Sequence, residues 1–452
     1  MVKDYSSIRA KLTTGRMMLF SSASISTNIM AITVSTWLMY TYAPPPDSGR
    51  PALVPIALIG ILMAVGSLVN ALIDPLLGHW SDSRRGRLGR RRPFILVFLP
   101  LSVLLMILIW TPPHRSLSTT NVIYFLLVTT LYYTAHSAWQ IPYDGALPEM
   151  AEEPKDRVTL AAWKNVFALV GVLIGALASG VLYNSAMGPL GMGIAVGVAA
   201  LIGGGMTLLG LREKKVEELG QALPVAKGIL ATFKNRQFIG LFLATLFVQA
   251  AYGMLIVNLP YFVTLVLGMP EGNVAIVQGV VIIVMAFAAI FWNRIGRRRL
   301  NRGLWRTATL ILGCLYAAGF LIGMIPGTVS VAMTFVLFPL IGFMLAGSSM
   351  LPYAMMGSVA DYDEIKTSTR REAIYYGSFS LAVEGGPTIS TLLLPVLYQN
   401  FGYTVDNPLG VRLAYLVIGA LVIIGLLFFR TYKLGDTPED VRRFVEENEG
   451  GV

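Results

Sequence analysis

The chain alternates between long apolar runs and short polar segments. Twelve runs are long enough, at about 1.5 Å per residue, to cross about 30 Å of hydrocarbon as a helix. We place them at about 17–43, 52–80, 93–112, 121–150, 158–184, 189–211, 238–267, 271–293, 305–325, 328–358, 373–399 and 410–430. The pattern therefore predicts an all-α membrane protein with twelve transmembrane helices.

A polar stretch divides the predicted helices into two sets of six. We expect an N-terminal six-helix bundle at 1–211, a cytoplasmic middle loop at 212–237, a C-terminal six-helix bundle at 238–430 and a cytoplasmic tail at 431–452. The N-terminus is polar and lacks the apolar core of a signal peptide, so we expect the first run to be a spanning helix.

Composition excludes several other classes of protein. Apolar residues make up 55% of the chain and charged residues only 13%, with a mean hydropathy of +0.66, which is too apolar for a soluble domain of this size. The net charge of +10 lies in short loops between apolar runs, which favours a lipid bilayer over nucleic acid as the partner. One cysteine and three dispersed histidines give neither a disulfide framework nor a metal motif, and we expect no cofactor.

Positive charge is distributed unequally between the two sides of the membrane. Thirty-one of the 35 lysines and arginines fall in the termini and in alternate loops on one side, and Lys164 lies inside a predicted helix. The opposite side has only Arg50, Arg115 and Arg412. By the positive-inside rule we expect a multi-pass protein of the cell inner membrane with both termini cytoplasmic.

The two predicted bundles share landmarks at nearly constant spacing. Three pairs of landmarks lie 207, 210 and 214 residues apart, and their order along the two halves is the same. They are Gly89–Arg92 with Gly296–Arg299, Pro142-Tyr143 with Pro352-Tyr353, and Arg157 with Arg371. This repeat predicts two related, pseudo-symmetric six-helix halves, which is the arrangement of the major facilitator fold.

Four ionisable side chains lie inside the predicted helices. These are Asp74, Asp144, Lys164 and Glu384. Each costs about 2.5–3.5 kcal/mol at the bilayer centre, so we expect them to face a shared interior. Two interpretations remain open: a structural ion pair, such as Lys164 with Glu384 or Asp74, or a site for a cation and a substrate.

Prolines and glycines accompany these polar positions. Pro75 follows Asp74, Pro142 follows Gln140 by two residues, Pro260 follows Asn258 by two residues, and Gly385-Gly386-Pro387 follows Glu384. Prolines remove backbone donors, so we expect helix interruptions that line a cavity.

Motifs spread along nearly the whole chain carry a family resemblance. They are Asp74-Pro75-Leu-Leu-Gly78 with Asp82 and the following arginine block, Ile141-Pro142-Tyr143 with Pro148-Glu149 and Arg157, and Asp361-Tyr362-Asp363-Glu364 with Arg370-Arg371-Glu372. On these residues the chain resembles the glycoside–pentoside–hexuronide:cation symporters, the melibiose-permease branch of the major facilitator superfamily. The resemblance implies cation-coupled sugar transport.

The resemblance also implies a cation site. In the family, acidic residues of helices 1, 2 and 4 and a lysine of helix 11 form a sodium or proton pocket. Those positions fall here on Asn28, Asn70, Asp74, Gln140 and Glu384. Only Asp74 keeps its carboxylate, and the lysine position is acidic. Two neighbouring carboxylates in a low dielectric tend to hold a proton, which favours H+ over Na+ as the coupling ion.

The substrate positions depart from the family as well. The family's sugar-binding arginine of helix 5 falls on Lys164, and two sugar-stacking aromatic positions fall on Asp144 and Ser349. Gln140 lies one turn from Asp144 on the same helix face. Trp37, Trp139 and Trp163 lie beside the polar positions, where they serve either as a sugar-facing surface or as packing or interface aromatics.

Charged residues in two loops predict a cytoplasmic gate. We expect pairs across the cytoplasmic face that involve Asp82, Arg90, Arg91, Asp361, Glu364, Arg370 and Arg371. Such pairs would break and form as the bundles rock. The alternative is that these arginines only fix the topology and contact anionic lipid.

Together these observations favour a secondary transporter. The first hypothesis is a proton- or cation-coupled symporter of a glycoside or related sugar, working by alternating access as a monomer. The alternatives are a carrier of an amphipathic or lipid-like substrate, and a non-transporting sensor or assembly protein of the same fold. An enzyme is not expected, because the sequence has no nucleophile, metal or phosphate-binding arrangement.

Overall fold

The structure is a computed structural model. It describes residues 12–84, 86, 88–151, 153–213, 231–325, 327–367, 369 and 371–449. The predicted gate residue Arg370 and most of the predicted middle loop lie outside the described residues.

The described residues are almost entirely helical. The helices are α1 Thr14–Tyr42, α2 Ile56–Ser83, α3 Arg92–Ile109, α4 Thr119–Met150, α5 Pro154–Tyr183, α6 Gly188–Gly210, α7 Arg236–Tyr261, α8 Val274–Gly296, α9 Asn301–Gly319, α10 Thr328–Thr367, α11 Glu372–Phe401, α12 Leu409–Phe429 and α13 Pro438–Glu449. Helices α1 to α12 correspond in order to the twelve predicted runs, which confirms the all-α transmembrane fold. Helix α13 belongs to the tail.

Two of the twelve helices are less apolar than the rest. Ten helical segments in the described part of the chain are long and apolar enough to cross a membrane on those criteria alone, and α4 and α9 are not among them. Helix α4 contains the polar positions His136, Gln140 and Asp144, and α9 begins with Arg302 and Arg306. Both helices pack against neighbouring helices: α4 contacts α2 and α3, and α9 contacts α10 and α12.

The helix contacts repeat between the two halves. In the first half α1 packs on α5 and α6, α4 packs on α2 and α3, and α3 packs on α6; α7 to α12 repeat every one of these contacts in the same order. Between the halves, α2 packs on α11, α5 on α8 and α1 on α7. Rotation by half a turn about the axis between the halves exchanges the α2–α11 contact with the α8–α5 contact and maps the α1–α7 contact onto itself, as expected for two pseudo-symmetric six-helix bundles.

The helices do not break where the sequence predicts interruptions. Pro75, Pro142 and Pro387 lie inside continuous helices, so the expectation of interrupted helices at these positions is wrong. A proline removes one helix hydrogen bond, and neighbouring helices can compensate for the loss. The exception is α7, which passes after Pro260 into a π-helical turn at Phe262–Val266.

The two halves meet through polar contacts at the end of the molecule opposite the arginine-rich loops. The Arg50 guanidinium donates to Glu271 at 2.8 Å, and the Tyr40 hydroxyl donates to the same carboxylate at 3.0 Å. Tyr261 donates to the carbonyl of Ala43 at 2.7 Å. We call the end opposite the arginine-rich loops the outer end and this group the outer clasp, which joins the two halves there.

Candidate functional site

Two polar residues of α2 contact α4 near the centre of the first bundle. The Asn70 amide donates to Ser137 of α4 at 3.0 Å and to Asp74 one turn away at 3.3 Å. Within the described residues, Oδ1 of Asn70 and Oδ1 of Asp74 are buried without a hydrogen-bond partner. Buried acceptors of this kind are costly unless a proton or cation satisfies them.

A lysine–carboxylate pair joins α5 to α4. Lys164 Nζ lies 2.6 Å from Asp144 Oδ1, and it also lies 4.4 Å from the centre of the Tyr143 ring. The Tyr143 hydroxyl is 2.8 Å from Ser24 of α1, so the pair is braced by a third helix. The lysine is therefore paired with Asp144, not with Glu384 or Asp74 as the structural alternative suggested. The Asp144 side chain is 50% exposed, so the pair faces open space.

Glu384 of α11 contributes a charge from the second half. Its carboxylate lies near enough to Asp74 and Asp144 to repel both electrostatically. Tyr353 of α10 lies in the same electrostatic neighbourhood and is exposed. The structure therefore places the three embedded carboxyl groups of Asp74, Asp144 and Glu384 near one another, and Lys164 joins them through its pair with Asp144. We call these four groups the interior region.

Three other predicted site residues have less specific surroundings. Asn28 donates to the carbonyl of Ser24 at 2.8 Å and to Thr27 at 3.2 Å, both on its own helix. Gln140 and Ser349 are partly buried on α4 and α10. Gln140 shares α4 with Asp144, and Ser349 shares α10 with Tyr353.

Two of the three candidate sugar-facing tryptophans, Trp37 and Trp139, are fully buried. The third, Trp163 of α5, is partly buried and packs edge-on against Phe167. Trp37 donates to Ser179 at 3.0 Å and stacks on Tyr183 at 4.0 Å between ring centroids. Trp139 donates to Ser102 of α3 at 3.1 Å. These contacts favour the packing role, because neither indole presents a face to the interior region.

Arginines of the loop before α3 pair within the first half. Arg90 and Arg91 both contact Glu149 at the end of α4, and Arg91 lies 2.7 Å from that carboxylate. Asp82 is a longer partner, 3.5 Å from Arg91 and 3.8 Å from Arg90. Gly145 makes room for this contact, since a Cβ there would lie 2.9 Å from the Arg91 guanidinium.

A second carboxylate caps the start of α3. Glu213, just after α6, accepts hydrogen bonds from the backbone amides of Arg90, Arg91 and Arg92. A carboxylate at this position satisfies orphan amides and complements the helix dipole.

The equivalent gate residues of the second half also pair locally. Arg371 donates to Asp363 through Nε and Nη2, each at 2.9 Å, in a bidentate contact. Asp361 and Glu364 lie in the last turns of α10, with Glu364 exposed. These pairs, among the described residues, stay within one half, whereas the sequence predicts pairs across the cytoplasmic face.

The sequence-based reasoning missed several residues of these networks. They are Ser137, Tyr143, Glu149, Glu213 and Asp363. Glu149 and Asp363 stand inside the quoted motifs, but their spacing alone did not single them out from their neighbours. Glu213 has no motif, and only the fold brings it to α3. In the described residues, no group of three or more histidines, cysteines or acids could hold a metal ion.

Relatives of this chain include named transporters. The sodium-dependent lysophosphatidylcholine symporter 1 of Gallus gallus is 25% identical over 83% of this chain and 79% of its own length. The sphingosine-1-phosphate transporter MFSD2B of Mus musculus is 24% identical over 87% of this chain and 84% of its own. An uncharacterized symporter of Bacillus subtilis, YjmB, is 25% identical over 82% and 81%.

Solved structures share the fold. A bacterial homologue of the human lysosomal transporter Spinster superposes with a TM-score of 0.68, at 14% identity, over 96% of this chain and 97% of its own. The nucleoside transporter NupG gives a TM-score of 0.66 at 12% identity over 93% and 100%.

One family model matches almost the entire chain. The family described as MFS/sugar transport protein matches residues 19–436, which covers α1 to α12. The chain therefore belongs to this family of the major facilitator superfamily and is a multi-pass membrane transporter.

Proposed function

We propose that this protein is a cation-coupled symporter of an amphipathic, lipid-like substrate. The observation that carries the proposal is the burial of Trp37 and Trp139, which removes two of the three candidate indole surfaces for a sugar and leaves only the partly buried Trp163 beside Lys164. Sugar recognition in such sites relies on aromatic faces and many hydrogen bonds. The interior region instead has a few concentrated charges.

Those charges suit a zwitterionic headgroup. Lys164 is positioned to bind a phosphate, and Asp144 and Glu384 to attract a cationic group. Exposed apolar side chains accompany them, including Met350 of α10 and Leu381 of α11. Relatives named as lysophosphatidylcholine and sphingosine-1-phosphate transporters support this reading over the sugar hypothesis.

For coupling we propose Asp74, with Asn70 as its neighbour. A proton on Asp74 or a Na+ between the two unpartnered oxygens would satisfy the site. The sequence favours the proton, while relatives carry sodium-dependent names. Asn28, Gln140 and Ser349 remain proposed members of the site. We also propose that the chain belongs to the melibiose-permease branch, which the motifs around Asp74 and Arg91 support.

Alternating access requires the halves to rock about the site. The outer clasp closes one side, so the half-exposed Asp144 is reached from the arginine-rich side, which we propose is cytoplasmic. We also propose that the protein acts as a monomer, with the site assembled from both of its own halves.

The test is transport by purified protein in proteoliposomes. Fluorescent lysophosphatidylcholine, sphingosine-1-phosphate and a panel of sugars are compared under an imposed pH or Na+ gradient, with protein-free vesicles as the control for passive partitioning. We expect protein-dependent lipid movement driven by one of the gradients. Gradient-driven uptake of a sugar without lipid movement would restore the sugar hypothesis, and movement of neither would favour the sensor.

A further inference from the structure

The two copies of the repeated arginine motif differ in how their charge is satisfied. In the first copy, Gly89–Arg92, the side chains of Arg90 and Arg91 pair with Glu149 and Asp82. In the second copy, Gly296–Arg299, we find no ion pair for Arg297, Arg298 or Arg299 within the described residues, and all three are exposed. The second motif therefore has charge available for a partner outside the chain.

Sequence around the second copy offers no internal counter-charge. From Gly272 to Ala360 the chain has no aspartate or glutamate, while six arginines lie between Arg294 and Arg306. Asp436 reaches the start of α9 from the tail, but it accepts the backbone amide of Asn301 at 2.7 Å. Arg302 donates to the carbonyl of Lys433, so it is also engaged.

An apolar cleft begins at this motif. It has a volume of about 530 Å³ and lies between α8, α9 and α10. Arg299 lines one end, Phe291, Trp292 and Phe343 form the walls, and the α9 residues Gly303 and Ile311 lie along its length. Those two positions are eight residues apart, which corresponds to about 12 Å along the helix.

The cleft opens on the outside of the transmembrane bundle. Phe287, Ile290 and Phe291 of α8 are exposed beside it, as is Leu300 at its end. None of the residues proposed to bind substrate or cation lines the cleft. A slot with apolar walls in the bilayer and an unpaired arginine at the membrane surface matches the shape of a phospholipid, with its chain below its headgroup.

We propose that this cleft binds one anionic phospholipid of the leaflet on the arginine-rich side. The acyl chain lies against Trp292, Phe343 and Ile311, and the phosphate contacts Arg299. Charge complementarity selects an anionic over a zwitterionic lipid, because no acidic side chain of the described residues pairs with the motif. The proposal is independent of the transported substrate, whose site lies elsewhere in the fold.

The chain offers a variant that fills the cleft without disturbing the fold. A Cβ on Gly303 meets no atom within 4 Å, so Gly303→Leu places its side chain in the open space of the cleft. Leucine also favours a helix over glycine. Gly205→Leu is the matched control, because Gly205 of α6 is equally open and lies in the other half.

The experiment uses the full chain in nanodiscs of phosphatidylcholine with a minor fraction of phosphatidylglycerol. Brominated acyl chains are placed on one lipid or the other at equal mole fraction, and quenching of tryptophan fluorescence is measured. We expect the wild type to be quenched more by brominated phosphatidylglycerol, because Trp292 lines the cleft. Gly303→Leu should remove this excess and Gly205→Leu should retain it.

Arg299→Ala is the second variant and tests the headgroup contact. Removing one arginine near the membrane surface should lower the preference for the anionic lipid roughly fivefold. Thermal unfolding identifies any variant that has lost its fold. Equal quenching by both lipids in the wild type overturns the proposal, as does an excess that survives Gly303→Leu or Arg299→Ala. A dimer lost in Gly303→Leu would assign the cleft to a second copy of the chain instead.

Discussion

At the scale of single residues, the pairing of Lys164 decides how the interior region works. Its partner Asp144 lies 2.6 Å away on the neighbouring helix, and the Tyr143 ring covers another side of the ammonium group. The half-exposed Asp144 carboxylate can release Lys164 and contact a charged group of a substrate instead. A fully buried pair would be a structural element with a higher cost of opening.

We therefore predict that the two members of the pair are not independent in transport. Lys164→Ala and Asp144→Ala should each abolish most uptake, and the double variant should be no worse than the worse single variant. The interaction energy from initial rates should be about 0.5–3 kcal/mol. Lys155→Ala, on the exposed first turn of α5, is the matched control and should combine additively with Asp144→Ala. Additive defects for Lys164 and Asp144 would contradict a functional pair.

A second prediction distinguishes the two acidic partners of Arg90 and Arg91. The Glu149 side chain is 11% exposed and the Asp82 side chain 58% exposed. Glu149→Gln leaves two nearly buried arginines short of a counter-charge and should cost about 3–5 kcal/mol of stability. Asp82→Asn should cost less than about 1 kcal/mol. Thermal unfolding in detergent measures both, and an equal effect of the two substitutions would show that Glu149 is not the principal partner.

Residue-scale reasoning from the sequence found the charges but not their partners. The cost of burying a charge identified Asp74, Asp144, Lys164 and Glu384 as interior groups. Which of them pair depends on helix rotation, and spacing within one helix does not determine that. The burial of Trp37 and Trp139 was unpredictable for the same reason, since each tryptophan is a few residues from polar positions on its own helix.

At the scale of elements, the close approach of α2 and α11 brings the two halves together at the outer end. A Cβ on Gly60 of α2 would lie 2.1 Å from the carbonyl oxygen of Thr391 and 2.8 Å from Cγ of Pro395. Only glycine allows this distance between the two backbones. The sequence predicted the apolar run of α2 but did not indicate a contact with a helix more than 300 residues later.

We predict that Gly60→Ala separates the halves on the outer side. Overpacking of this kind costs about 1–3 kcal/mol, which favours conformations in which α2 and α11 move apart. Spin labels are attached at Ser48→Cys and Asp406→Cys in a Cys314→Ser background. Pulsed electron paramagnetic resonance then measures the distance between the two labels. The distances should lengthen in Gly60→Ala and stay unchanged in Gly205→Ala. Identical distance distributions in all three proteins would contradict the role assigned to this contact.

The elements themselves were predictable because hydrocarbon thickness sets their length. All twelve apolar runs became helices. The predicted breaks failed at Pro75, Pro142 and Pro387, since tertiary packing compensates for a missing donor and the local rule does not include it. The last turns of α10, which carry Asp363, continue beyond the apolar run predicted at 328–358, whereas α4 ends at Met150 as predicted.

At the scale of the whole molecule, pseudo-symmetry places the proposed site between two equivalent halves. The repeat in the sequence predicted this relation, and the equivalent helix contacts in both bundles confirm it. The site is not symmetric, because Asp74, Asp144 and Lys164 come from the first half and Glu384 comes from the second. In the proposed alternating-access cycle, rocking of the halves would change the distance of Glu384 from the other three groups and so couple the state of the site to the conformation.

The central claim is that Asp74 couples a cation gradient to movement of a lipid-like substrate. The most direct measurement is accumulation of a fluorescent lysophospholipid by proteoliposomes under an imposed pH or Na+ gradient, compared between the wild type and Asp74→Asn, with exchange at equal concentrations as the control for a folded carrier. We predict that the wild type concentrates the lipid and that Asp74→Asn exchanges it without concentrating it. Accumulation by Asp74→Asn at the wild-type level would contradict the account.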